Sequence, residues 1–197
     1  IEGDLDLLDV FHELGIKLVA PTWNRQLPYC GSIVEGGGVL SKGKLLAKKM
    51  DKLNLILDVS HLSEKSFFDF AELTRCPFIA SHSNAKAINS HPRNLTDDQI
   101  QAIKQKNGVV GLNFCPDFLN AEINFKTDKY PKGFWLLLKQ IDYLSEKFGT
   151  EIIAFGSDFD GIWHTPEGVE SPEFYPRFAD FLIDRGYSGE DAKKIFF

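Results

Sequence analysis

Leu55-Ile-Leu-Asp-Val-Ser-His61 followed by Phe78-Ile-Ala-Ser-His82-Ser-Asn84 decides the fold. Leu55–Val59 and Phe78–Ala80 are short apolar runs, the pattern of strands buried on both faces. Between them, Ser63 to Thr74 sets Phe67, Phe70, Ala71 and Leu73 at helical spacing, behind a serine that can cap the first turn. Strand, helix and strand in that order predict two parallel strands joined by a crossover helix. Both runs end in Ser-His, so two imidazoles are expected at the same end of adjacent strands. An α/β enzyme carries metal ligands on such an edge. Taken singly, a strand-end histidine more often bonds backbone in a loop. Two in register, followed by Arg93-Asn94, favour a site.

The same pattern extends outward. Further strands are expected at about residues 16–22, 109–114 and 152–155. Helices are expected from Asp6 to Gly15, from Leu40 to Leu53 with Leu45, Leu46, Met50 and Leu53 on one side, and from Phe134 to Phe148. Thr96-Asp-Asp-Gln99 is a capping box opening a helix to Lys106. Ser171-Pro172-Glu173 reads as an N-cap and first turn of a helix reaching Arg185, and Ser188 begins a last helix. Arg25 to Gly38 reads as a polar connection whose three glycines are flexible, and Cys115 to Gly133 is loop-like. Five strands alternating with helices argue a parallel α/β architecture, and the long loops after strands favour a TIM-like (β/α)8 barrel. A complete barrel takes about 250 residues. A single domain over residues 1–197 is therefore expected, an incomplete barrel holding the C-terminal five strands or so.

The 197 residues are 43% hydrophobic and 25% charged with net charge −6, ordinary values for a soluble domain. Lys42, Lys44, Lys48 and Lys49 alternate with apolar residues, the wet face of a helix and not a nucleic-acid patch. No apolar run reaches the roughly 18 residues of a spanning helix, and no signal peptide opens the chain. Cys30, Cys76 and Cys115 form no paired motif, so neither a disulfide framework nor a thiolate zinc site is indicated. A reducing, cytoplasmic location is expected.

The polar groups that follow the strands are Trp23-Asn24, His61, His82, Asn113, Asp158 and Asp160, with Glu2 added if Ile1 ends a strand. One carboxylate and two imidazoles make a zinc-type ligand set with positions left for water or substrate. A metal there would lower the pKa of bound water and polarise a carbonyl. Asp158 has the chemistry of a general acid/base, and Arg93 that of a bidentate carboxylate clamp. The plainer readings are a turn-forming Asp and a surface salt bridge. His12, His91 and His164 carry little weight as catalytic groups, and the 17 Phe residues are explained by core packing.

These residues resemble the zinc-dependent membrane (renal) dipeptidase family, bacterial branch. Asp58-Val-Ser-His61 resembles its Asp-Leu-Ser/Ala-His strand end, and Ser81-His82-Ser83 its Ser-His-Ser strand end. His91-Pro-Arg93-Asn94, Asn113-Phe114 and Gly156-Ser-Asp158-Phe-Asp160-Gly161 match its later motifs in order. Ile1-Glu2-Gly3 resembles the end of the family's third strand and Thr22-Trp23-Asn24 the end of its fourth. The resemblance implies a binuclear zinc site in a (β/α)8 barrel that hydrolyses dipeptides, including those with a C-terminal D-residue, by metal-activated water. Glu2 would bridge both ions, His61 and His82 would complete one of them, and Asp158 would be the acid/base. Arg93 and Asn94 would bind the dipeptide. Trp23 stands where mammalian members have a substrate-contacting His, and Phe118 where they have a Tyr.

Two departures accompany the resemblance. The family's first strand ends in a His-x-Asp pair that ligates the other zinc, and no such pair occurs in this sequence. Between Glu2 and Gly15 the chain also looks shorter than its relatives. The chain thus reads as a piece lacking the N-terminal strands and able to complete at most one of two zinc sites. It is expected not to hydrolyse dipeptides unless the missing half is supplied, with a homodimer left open. The alternatives are an amidohydrolase-type barrel acting on cyclic amides or esters, or an inactive paralogue that binds carboxylate ligands.

Overall fold

In the computed structural model, whose described residues are 3–120 and 129–197, the chain divides into two units. The first comprises Ile1–Ala80 and Ala102–Gly108, the second Ser81–Gln101 and Val109–Phe197.

The first unit begins with α1 (Leu7–Glu13), β1 (Leu18–Val19), β2 (Cys30–Ser32) and β3 (Gly36–Val39). It continues with α2 (Ser41–Leu53), β4 (Ile56–Asp58), α3 (Glu64–Leu73) and β5 (Phe78–Ile79). Strand β4 lies between β1 and β5, parallel to both, with Leu18 opposite Ile56 and Leu57 opposite Phe78. The expected crossover unit is therefore present. Ser63 caps α3 by accepting from the Ser66 amide at 3.0 Å, and Phe67 and Phe70 are buried on the face that the periodicity assigned to the core. Phe67 meets Phe78 edge to face at 5.7 Å. In α2 the buried stripe is Gly43, Leu46, Ala47 and Met50, while Leu45 is exposed, which corrects its expected place on the core side. The stripe is centred one position further along than the leucines alone suggest.

The connection at Arg25–Gly38 is a second correction. It is not a flexible linker but contains the antiparallel hairpin β2–β3, with Cys30 opposite Val39 and Ser32 opposite Gly36. A Cβ on Gly31 would lie 1.8 Å from the Gly36 carbonyl oxygen, so the hairpin closes only because side chains are missing there. Helix α3 then fastens it, with Asp69 Oδ2 accepting from the Val39 amide at 2.8 Å.

Asp51, near the end of α2, receives the Thr74 hydroxyl, the amides of Arg75 (2.9 Å) and Cys76 (3.1 Å), and the Cys76 thiol. Burial works against its ionised form, yet these donors hold its carboxyl below the ordinary value. A carboxylate depressed in the fold stabilises above its unfolded pKa of about 3.9 and loses that contribution as pH falls through the folded value. Asp51→Asn is accordingly expected to cost about 1–3 kcal/mol at pH 7, with the difference shrinking below about pH 4. Urea midpoints at the two pH values check this.

Helix α4 (Asp97–Gln105) starts in the second unit and ends in the first. Its capping box is formed, with the Gln99 amide donating to Thr96 Oγ1 at 3.3 Å and the Thr96 amide to Gln99 Oε1 at 2.9 Å. The second unit continues through β6 (Val110–Leu112), α5 (Pro116–Leu119), α6 (Lys132–Phe148), β7 (Ile153–Phe155), α7 (Tyr175–Asp184) and α8 (Gly189–Phe196). Strands β6 and β7 are parallel, Val110 opposite Ile153 and Leu112 opposite Phe155. Phe134, Phe174, Phe178 and Phe181 form an aromatic core, Phe134 and Phe178 meeting at 5.0 Å and 89°. The expected loop after Cys115 contains the short α5, because Pro116 fixes a helical φ at the first position. Ser171 makes no side-chain cap, since a 3-10 turn over Pro172–Phe174 precedes α7, whereas Ser188 does cap α8 through the Asp191 amide at 3.0 Å. Parallel pairing thus holds in the three-stranded sheet of the first unit and the β6–β7 sheet of the second, while the β2–β3 hairpin is antiparallel.

Candidate metal and substrate site

In the first unit the site residues sit where β4 runs out. Asp58 Oδ1 accepts from the Ser60 amide at 3.0 Å, turning the chain so that His61 takes a left-handed conformation, φ +69°. The loop is tied to the hairpin on both sides of that histidine. The Ile33 amide donates to the His61 carbonyl at 2.8 Å, and Ser32 bridges to Leu62. His61 Nδ1 lies 2.9 Å from Asn24 Oδ1. An amide oxygen only accepts, so the ring donates through Nδ1, the orientation in which Nε2 is the metal-ligating nitrogen. Trp23, largely exposed, stands with its ring 6.0 Å from the imidazole. Trp23, Asn24 and His61 are therefore brought together.

The second unit opens just after β5 with Ser81-His82-Ser83-Asn84. His82 Nδ1 is 2.7 Å from Ser81 Oγ, and the His82 carbonyl accepts from Arg93 Nη2 at 3.3 Å. The Arg93 guanidinium lies over the Phe118 ring at 5.7 Å, and His91 stacks against the same ring at 4.4 Å. His91 Nδ1 also accepts from the Arg93 amide at 3.2 Å. Burial pushes His91 below the usual imidazole value; Asp117 opposes that shift and Arg93 adds to it. A neutral ring is what this acceptor role needs. Asn94 is 3% exposed; its Nδ2 donates to the carbonyls of Asn89 and Phe118, both at 2.9 Å. Its Oδ1 is buried and finds no partner among the described residues.

Asp158 follows β7 at φ +62°. Its Oδ2 accepts from Asn113 Nδ2 at 3.0 Å, across from the end of β6. Five non-glycine residues among those described have positive φ. Asn54, Asn107 and Asn120 sit at helix ends, where a left-handed Asn is ordinary. The other two are His61 and Asp158, both candidate functional groups.

His82, Arg93, Asn94, Phe118 and Asp158 thus belong to the second unit, and Trp23 and His61 to the first. Glu2, expected as the bridging carboxylate, lies outside the described residues. Among the described residues, no three His, Cys, Asp or Glu side chains are grouped closely enough to hold a metal ion. The donor chemistry nevertheless fits a metal ion, since each imidazole is oriented through Nδ1 by a polar neighbour. Sequence reading named Asn113 among the strand-end polar groups without giving it a task, passed over Asn84, and gave His91 little catalytic weight without seeing its contact with Phe118 and the Arg93 amide. Their signal is a polar side chain at a strand end or beside the Arg-Asn pair. Among the described residues, no helix is long and apolar enough to cross a membrane.

A family model described as membrane dipeptidase, peptidase family M19, matches residues 1–197. The chain is 36% identical over 194 residues to an uncharacterised protein encoded in the pqqA 5′ region of Klebsiella pneumoniae, covering 94% of this chain and 70% of that one. It is 31% identical over 195 residues to dipeptidase aclJ of Aspergillus oryzae, covering 97% of this chain and 45% of the relative. Among solved structures it is similar to a metallopeptidase from Rhodobacter sphaeroides liganded with a phosphinate mimic of L-Ala-D-Ala, with TM-score 0.85 and 33% identity. That match covers 98% of this chain and 56% of the solved one, so the chain spans about half the length of the last two proteins.

Proposed function

Because this chain belongs to the membrane dipeptidase family, peptidase family M19, we propose that its site serves the zinc-dependent hydrolysis of dipeptides, including those with a C-terminal D-residue, within a (β/α)8 barrel. The observation that carries this reading is the bond from Arg93 to the His82 carbonyl. It sets a carboxylate-binding cation against a candidate metal ligand, in the same unit as a candidate acid/base. The dipeptide mimic bound by the Rhodobacter sphaeroides relative supports the substrate class.

Each residue then has a task. Arg93 takes the substrate carboxylate bidentately, its plane steadied by the Phe118 ring, which His91 also touches. Asn94 supports the dipeptide from the same loop, its Nδ2 holding the Phe118 carbonyl beside the clamp. Asn24 and Ser81 orient the rings of His61 and His82, the two imidazole ligands, and Glu2 supplies the carboxylate ligand. Zinc, when bound there, would polarise the scissile carbonyl and bring the pKa of water toward neutrality. Asp158 accepts a proton from the attacking water on Oδ1, since Oδ2 is bonded to Asn113, and returns it to the leaving amine.

A panel of L,L- and L,D-dipeptides, lactones and cyclic amides, assayed with zinc, tests the reading. It should be run on the chain alone and on the chain joined to the N-terminal strands of a family member. Turnover of dipeptides by the joined protein is expected. Turnover of lactones or cyclic amides only would replace this function with that of an amidohydrolase, and carboxylate binding without turnover would make the protein a binding module.

A further inference from the structure

We propose that Asn113 is the positioning residue for Asp158, fixing the rotation of its carboxylate through Oδ2 and leaving Oδ1 to move the proton. This rests on the dipeptidase reading for its chemistry, though not for its geometry. Asn113 is fully buried, and both ends of its amide are engaged. Nδ2 donates to Asp158 Oδ2 at 3.0 Å, and Oδ1 accepts from the Cys115 amide at 2.6 Å. Its backbone is held as firmly. Asn84, also fully buried, donates from Nδ2 to the Asn113 carbonyl at 2.9 Å and accepts on Oδ1 from the Asn113 amide at 3.1 Å. Asn84 stands two positions after His82, so one clasp joins the metal-ligand loop to the residue that holds the acid/base.

The opposing loop is closed in register with it. The Phe114 amide donates to the Ser157 carbonyl at 3.4 Å, and Phe114 meets Phe159 edge to face at 5.7 Å and 84°. A polar pair, 113 with 158, is thus followed by an aromatic pair, 114 with 159. The Gly161 amide donates to the Asp158 carbonyl at 2.9 Å, and a Cβ on Gly161 would lie 2.1 Å from Asp158 Oδ1. These contacts surround Asp158 in a left-handed backbone that aspartate tolerates better than most residues. A residue needed merely to cap the turn at Cys115 could equally be Asp or Ser. Asp there would set a second carboxylate against Asp158, and Ser is too short to accept from Cys115 and reach Asp158 at once. Only an amide does both.

Two measurements test this. In the 197-residue chain labelled with 15N, the Asn113 side-chain amide is the reporter. Its resonances should shift as acid protonates Asp158; that response should vanish in Asp158→Asn and persist in Asp160→Asn. Where the substrate panel gives turnover, Asn113→Ala is expected to lower kcat tenfold or more with KM within twofold. Asn113→Asp, which keeps volume and the Cys115 contact, should move the low-pH limb of the rate profile upward, because adjacent carboxylates resist double ionisation. An amide response surviving Asp158→Asn, or an unchanged pH limb in Asn113→Asp, overturns the proposal. A response coupled to Asp158 without any dipeptide turnover would retain the positioning and reject the dipeptidase function instead. Turnover with no coupling would do the reverse.

Discussion

His61→Ala and His82→Ala are each expected to abolish zinc binding while leaving the chain folded. Both rings are only partly buried, and each Nδ1 partner, Asn24 Oδ1 or Ser81 Oγ, can turn to water when the ring is gone. The loss of that hydrogen bond costs about 1 kcal/mol. At His61 the left-handed backbone, φ +69°, adds little to this, because histidine and alanine both carry the Cβ that makes it costly. Against this stands the loss of an imidazole from a three-ligand set. Removing even a partner that only orients a ligand weakens metal affinity about 10–100-fold, so loss of the ligand itself exceeds that range. Metal analysis after dialysis, alongside thermal midpoints, reads both effects. About one zinc per chain in the parent, lost in both variants, is the expected result. Zinc retained in either variant would remove that histidine from the ligand set.

Asp158→Asn is expected to lower kcat for dipeptides by about 10²–10⁴-fold without changing zinc content. Asparagine keeps the shape and can still accept from Asn113 Nδ2, so the loop geometry persists while the proton-transfer group is lost. KM should move little, because Arg93, the proposed carboxylate clamp, and the Phe118 ring under it are untouched. Steady-state kinetics with zinc content measured on the same samples decides it. A variant that loses zinc in parallel with activity would make Asp158 a support for the metal and not the acid/base.

What could be read from sequence follows from the range of the interactions. The caps at Ser63, Thr96 and Ser188 involve partners three residues away, and all three form. The parallel strands and their crossover helix follow from apolar runs that carry their own signal. The rest depends on contacts whose partners are far apart in sequence. Asn24 meets His61 across 37 positions and Asn84 meets Asn113 across 29, and neither asparagine differs locally from one in a surface turn. The glycines of the β2–β3 hairpin were legible as glycines but not as a close approach, because Gly31 meets the Gly36 carbonyl only once the hairpin has folded back on itself. Leu45 misled because a leucine beside Leu46 satisfies the helical period almost as well as the residue that is actually buried.

The positive φ at His61 and Asp158 also narrows the evolutionary paths open to this scaffold. Position 61 admits glycine and asparagine with little penalty, alanine with some, and branched residues hardly at all. A saturation library there should return folded clones drawn from a few small or polar types, with valine, isoleucine and threonine depleted. New chemistry at this strand end would therefore arise more readily by changing Trp23 or Asn24, which sit beside the ring on an unrestricted backbone.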